Sequence, residues 1–203
     1  MSTRPSTLVA ISVLIAGTTA MAQVRPLPPP DQTAPMVEEL VATQGFQERI
    51  NQYVAVHRGL ELPLMPLRPT LDMSRIQASR QALAHRIRVV RAEAQQGDLI
   101  TPDVARMFRR RIATCLPASE WAAIVSDNAE DEEGVPAGPP ALHVNMEWPE
   151  QVPFGFVPPQ MLAALPRLPA ELQYRIIGNS LVLWDHHANL IVDFLPGAFI
   201  ATS

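Results

Sequence analysis

The chain reads as an α+β protein: an N-terminal helical block, an acidic and proline-rich connector, and a small three-stranded antiparallel meander. Three observations carry that reading. Apolar residues recur at helical spacing from about Pro35 to Ser126, and prolines and acids then break every regular pattern from Asp127 to about Gln160. Between Met161 and Ser203, runs of strand formers alternate with short turn signals.

The N-terminus precedes this fold. Arg4 is followed by an uncharged apolar stretch from Leu8 to about Ala16, and Ala20-Met21-Ala22 supplies the small-residue pattern of a signal-peptidase site. That stretch is shorter than the ~20 residues a bilayer span needs. Residues 1–22 are therefore expected to be a cleaved secretory signal. The mature chain would begin at Gln23, in the periplasm or secreted, with no transmembrane segment left. Residues 23–34, with Pro28-Pro29-Pro30, read as a stiff extended leader.

In the helical block, Met36, Val37, Leu40 and Val41 keep helical spacing, Gly45 weakens it, and Ile50, Tyr53, Val54 and His57 resume it, giving one interrupted helix or two short ones. Pro63, Pro66 and Pro69 exclude a regular helix next. The clearest helix spans about Asp72 to Gln96, with Met73, Ile76, Leu83, Ile87, Val90 and Ala94 on one stripe and Gly97 placed to end it. Thr101-Pro102-Asp103 is a strong helix start, and Phe108 and Ile112 give that helix its buried side. A further short helix from Pro117 would bury Trp121, Ile124 and Val125, and Met161 to Leu165 would form one turn before the meander.

The meander specifies its own register. Gly178-Asn179 tolerates positive φ and makes a two-residue hairpin that pairs Ile177 with Ser180, Ile176 with Leu181, Tyr174 with Leu183 and Leu172 with Asp185. A four-residue connection, His186 to Asn189, then returns the chain so that Leu183 meets Val192 and Leu181 meets Phe194. Tyr174, Ile176, Leu181, Leu183, Val192 and Phe194 would share one buried face. On the other face Val182, Trp184, Ile191 and Leu195 would lie beside Arg175, Gln173 and Asp193, an apolar surface that needs a cover or a partner. Trp184, Val182, Ile191 and Arg175 are accordingly the candidate interaction residues.

Composition narrows the function class. A net charge of −4 argues against a general nucleic-acid binder. All sixteen basic residues are Arg, a matter of genome composition. Arg86, Arg88, Arg91 and Arg109 to Arg111 would solubilise helix flanks, with an anionic-lipid patch as the sharper reading. Asp127 to Glu133 reads as a solvated acidic loop, because Gly134 comes too late for an EF-hand. Cys115, the single cysteine, cannot form an intramolecular bridge and reads as a small buried hydrophobe.

No catalytic signature is present: Gly178-Asn179-Ser180 lacks the second glycine of a nucleophile elbow, and there is no phosphate loop, H-E-x-x-H or C-x-x-C. Neither a catalytic residue nor a cofactor is expected. Asp185, His186 and His187 with Asp193 are the one cluster of metal-ligand types, set against the plainer reading of a solvated polar turn.

With the signal, Gln95-Gln96-Gly97-Asp98-Leu99-Ile100-Thr101-Pro102 and the ending Leu168-Pro169, Tyr174-Arg175, Gly178 and Leu190-Ile191-Val192-Asp193-Phe194, the chain resembles a group of uncharacterised exported bacterial proteins. Its closing hairpin resembles the C-terminal hairpin of small periplasmic proteins linked to nickel and cobalt homeostasis. The resulting expectation is an exported, non-enzymatic envelope protein acting through contacts with a protein partner. The alternative is a periplasmic protein that handles a divalent metal through the Asp185-His186-His187 loop.

Overall fold

The computed structural model describes residues 30–64, 72–117, 119–121, 123, 141–149, 152, 154–155 and 157–199. The expected signal, the acidic run from Asp127 to Glu133, Ile124 and Val125 lie outside the described residues. The elements are α1 (Pro30–Glu61), α2 (Met73–Val90), α3 (Pro102–Cys115), α4 (Pro159–Ala164), β1 (Leu172–Ile177), β2 (Ser180–Asp185) and β3 (Leu190–Leu195). The architecture is the expected α+β arrangement, with the strands in the order β1-β2-β3, all antiparallel. Helices cover one face of the sheet, and Leu142, Met146, Trp148, Val152 and Phe154 cover the other.

Helix α1 is continuous, and it begins within the expected leader at Pro30, a residue whose fixed φ suits a first turn. Gly45 does not interrupt it. A mid-helix glycine costs about 1 kcal/mol, whereas burying each of Phe46, Ile50, Tyr53 and Val54 on one stripe contributes roughly 1.5–3 kcal/mol. The earlier apolar residues Met36, Val37, Leu40 and Val41 are exposed, so the core-facing stripe starts at Ala42.

Helix α2 starts where expected, with the Asp72 carboxylate accepting from the Ser74 and Arg75 amides. It ends at Val90, well before Gly97. The cause is Asn145, whose side-chain amide donates to the Arg91 carbonyl at 2.7 Å while its oxygen accepts from the Arg91 guanidinium at 3.2 Å. That clasp ties the last turn of α2 to the opposite layer. Helix α3 starts at Pro102 and buries Val104, Met107, Phe108 and Ile112, but the Thr101 hydroxyl makes no cap bond. Phe108 meets Phe46 edge-on at 5.1 Å and Tyr174 at 6.1 Å, joining α1, α3 and β1 in one core.

The β1–β2 register matches the expected one pair for pair, with Gly178 at φ 53° in the turn. The β2–β3 register holds next to the loop, where Asp185 faces Leu190 and Trp184 faces Ile191. A β-bulge between Leu183 and Trp184 then shifts it by one, so Leu183 faces Asp193 and Leu181 faces Leu195. The expected pairs Leu183 with Val192 and Leu181 with Phe194 are therefore corrected. Phe194 lies on the far face with Val182, and Leu195 joins Val192 on the helical face. The bulge frees the Val192 carbonyl, which accepts from Arg91, and turns Asp193 towards the helices.

The far face is covered. Trp148, Ile177, Val182 and Ile191 form a second buried cluster, joined by Leu142, Met146, Val152, Phe154 and Phe194. Backbone bonds of Asn145 and Met146 to Ile191 of β3, and of Trp148 to Asn189 just before it, seat this segment on the sheet edge. Trp184 is half-buried against Phe154, with ring centroids 4.7 Å apart. It does not centre an exposed apolar patch.

Candidate functional site

The polar heart of the protein lies where the C-terminal end of α1 meets the loop joining β2 to β3. Tyr53, His57 and Glu61 stand one turn apart on the same α1 stripe. Asp185 closes β2, and His187 follows in the loop. Asp185 and His57 are both wholly buried. One Asp185 carboxylate oxygen accepts from the Tyr53 hydroxyl at 2.6 Å and from His57 Nδ1 at 2.6 Å, and the other accepts from the His187 and Ala188 amides at 3.0 and 2.9 Å.

This arrangement fixes the imidazole. A carboxylate only accepts, so Nδ1 carries a proton, and Nε2 has a free lone pair whenever the ring is neutral. His57 Nε2 is buried and makes no hydrogen bond. It faces Glu61, whose carboxylate lies 3.4 Å away and is shared with His187 Nδ1 at 3.1 Å. The two imidazole rings stand 5.5 Å apart. One donor atom from each of His57, Glu61 and His187 falls within 4.8 Å of the others. Glu61 and His187 side chains are 42% and 37% exposed, so the cluster has a buried floor and an open mouth.

Protonation follows from these contacts. Burial would raise the Asp185 carboxyl, but the hydrogen bond and charge of His57, with the Tyr53 hydroxyl and the Ala188 amide, hold it below the usual carboxylate range. Burial would lower His57; the hydrogen bond and charge of Asp185, with Glu61 and Glu171 nearby, outweigh it and raise the imidazole. Tyr53 is pushed far up, chiefly by burial and then by the adjacent Asp185 charge, and stays a hydroxyl donor. Arg91 sits over the Tyr53 ring at 5.0 Å and closes the inner side.

The structure divides the expected ligand set of Asp185, His186, His187 and Asp193. His187 belongs to the cluster, and Asp185 supports it from behind. His186 turns away and bonds the Ala170 carbonyl at 2.6 Å. Asp193 is fully buried elsewhere, accepting from the amides of Gly97, Leu99, Ile100 and Phe194 at 2.8–2.9 Å. It has no capacity left for an ion. Among the interaction candidates, Val182 and Ile191 are core residues of the far face, while Trp184 and Arg175 are half-buried there.

Sequence reasoning missed Tyr53, His57 and Glu61 as site residues. The available signal was a phenol, an imidazole and a carboxylate at successive four-residue steps along a core-facing stripe. The arginines that were expected to solubilise helix flanks, and that the sharper reading made an anionic-lipid patch, mostly meet partners within the fold. Arg86 bonds the Leu60 carbonyl, Arg88 that of Asn145, Arg109 those of Pro196 and Gly197, and Arg111 pairs with Glu39. Cys115 is half-buried, its thiol donating to the Arg111 carbonyl.

No family model, curated protein or solved structure matches the chain. No helix among the described residues is long and apolar enough to cross a membrane.

Proposed function

We propose that the protein is an exported divalent-metal-binding protein whose site is His57 Nε2, Glu61 and His187. The observation that carries this reading is the buried, unbonded His57 Nε2, aimed at a carboxylate and a second imidazole while its other nitrogen is held by Asp185. Two imidazoles and one carboxylate suit zinc, nickel or cobalt, and an imidazole backed by a carboxylate is the usual support for such a ligand. Three protein donors on a half-open mouth leave room for water or an exchangeable group, which suits uptake and release better than a closed structural site. The alternative of action through a protein partner at Trp184 loses support, because residues of the 142–154 segment cover that face.

Thermal unfolding with near-equimolar zinc, nickel or cobalt tests the proposal. At 100 times the dissociation constant one bound ion stabilises by about 2.7 kcal/mol. Glu61→Gln with His187→Ala, both at half-exposed positions, should abolish that gain, whereas His186→Ala should keep it. An unchanged melting temperature in the natural chain, or a gain surviving the double substitution, overturns the assignment. Mass spectrometry of the envelope fraction tests export, with Gln23 expected as the first residue.

A further inference from the structure

A second site lies along the free edge of β1. Gly155 bridges to Ile176, its amide donating to the Ile176 carbonyl at 2.9 Å, and beyond that point the connector and β1 part company. The gap is a groove of about 750 Å³, within the range of small-ligand pockets. Val157, Leu162, Leu168 and Leu172 give it apolar walls, and Leu162 stands 47% exposed at the lip. Arg167 and Arg175 also line it, and none of the described lining residues is acidic.

Arg175 is a half-buried guanidinium with no carboxylate partner among the described residues. Its guanidinium packs against two neighbouring rings, 5.4 Å from Phe154 and 5.2 Å from Trp184. It donates to the Gln173 side chain, but its Nε is buried and unbonded. Other guanidiniums have clear roles: exposed Arg58 meets Glu171, partly buried Arg111 meets Glu39, and Arg91 serves the Val192 carbonyl. No carboxylate of the described residues pairs with Arg175 or Arg167. An arginine stays charged at any physiological pH, so Arg175 is a cation held on aromatic faces with its counter-charge still to come.

We infer that the β1-edge groove binds a small carboxylate amphiphile, a fatty-acid-like molecule with its head on Arg175 and Arg167 and its chain along Val157, Leu162 and Leu168. Charge complementarity selects the anion, since two cations line the groove without an acid. The apolar walls select the tail. A planar carboxylate matches the flat edge of a guanidinium that already packs against the Phe154 and Trp184 rings. This inference stands on residues separate from the metal cluster and does not depend on it.

Calorimetric titration of the purified chain with dodecanoate, dodecanol and acetate tests it. Dodecanoate should bind once per chain, with dodecanol at least tenfold weaker and acetate weaker still. Arg175→Gln should bring dodecanoate down to the level of dodecanol while leaving dodecanol unchanged. Leu162→Glu, at the exposed lip where the fold is insensitive, should weaken dodecanoate at least tenfold with an unaltered melting temperature. Equal binding of acid and alcohol, or dodecanoate affinity indifferent to both substitutions, overturns the inference as plain adsorption to an apolar surface. Tighter binding of dodecyl phosphate would overturn the carboxylate assignment in favour of a phosphate head.

Discussion

Asp185 and Asp193 are both completely buried, and both lie in the β2–β3 hairpin, yet the protein uses them in opposite ways. Asp193 is surrounded by main-chain donors, accepting from Gly97, Leu99, Ile100 and Phe194. Backbone amides do not change charge with pH, so this carboxylate pins the turn after α2 to the sheet and passes nothing outward. Asp185 accepts two amides as well, but its other oxygen holds Tyr53 and His57. The imidazole carries the consequence outward, because fixing Nδ1 leaves Nε2 facing Glu61 and His187. A buried acid satisfied by backbone is architecture; one satisfied by an ionisable side chain can support a site.

The sharpest way to break this comparison is Asp193→Ala. It orphans the donors of the 97–100 turn, and each buried unsatisfied group costs about 1–3 kcal/mol, so a loss of roughly 3–6 kcal/mol is expected in chemical unfolding. Metal affinity of the folded fraction should not change. A loss below about 1 kcal/mol would show that the turn finds water or other acceptors and that Asp193 is not its anchor.

Asp185→Asn should cost less stability, roughly 1–3 kcal/mol, because an amide oxygen still accepts two of the four bonds. Its effect on metal should be larger than that of Asp193→Ala, a 10- to 100-fold loss of affinity by titration, as for other residues that support a ligating histidine. If both aspartates weaken metal binding equally, the division between architecture and site fails.

Gly97→Ala probes the architectural side more gently. Gly97 has φ +95°, and an added Cβ would meet nothing closer than the Ile100 carbonyl at 3.8 Å. The cost is therefore conformational, about 1–2 kcal/mol, read from the unfolding midpoint. A negligible cost would mean that the turn relaxes without losing the amides that Asp193 holds.

Much of the fold was legible in the chain, and its errors share a cause. The β1–β2 register follows from Gly178-Asn179 because a two-residue turn leaves one pairing. The β2–β3 register slips at a bulge that local pattern cannot reveal, since it is stabilised by Asp193 reaching amides from a distant turn and by Arg91 taking the freed Val192 carbonyl. The end of α2 was misplaced for a similar reason: Asn145 supplies it from across the sheet. The cluster proposed to hold a metal was half visible. Asp185 and His187 stood out as adjacent ligand types, while His57 and Glu61 were hidden in a helix stripe whose spacing also describes ordinary core. Long-range polar pairing is what periodicity and turn chemistry do not carry.

The smallest expected effect separates two neighbours, His186 and His187, which adjoin in sequence and whose rings stand 4.5 Å apart. An i, i+1 pair in a loop offers no local rule for deciding which one is a ligand. Tertiary contacts decide it: His187 brings a ring nitrogen within 4.8 Å of donor atoms on His57 and Glu61, whereas His186 turns its Nε2 to the Ala170 carbonyl, outside that cluster. His186→Ala removes one partly exposed hydrogen bond, so it should shift stability by no more than about 0.5 kcal/mol and leave metal affinity unchanged. His187→Ala, equally mild without metal because the side chain is half-exposed, should remove the metal-dependent rise in melting temperature. If His186→Ala instead removes that rise, the ligand set turns outward along the loop, and His57 is left as a core histidine bonded to Asp185.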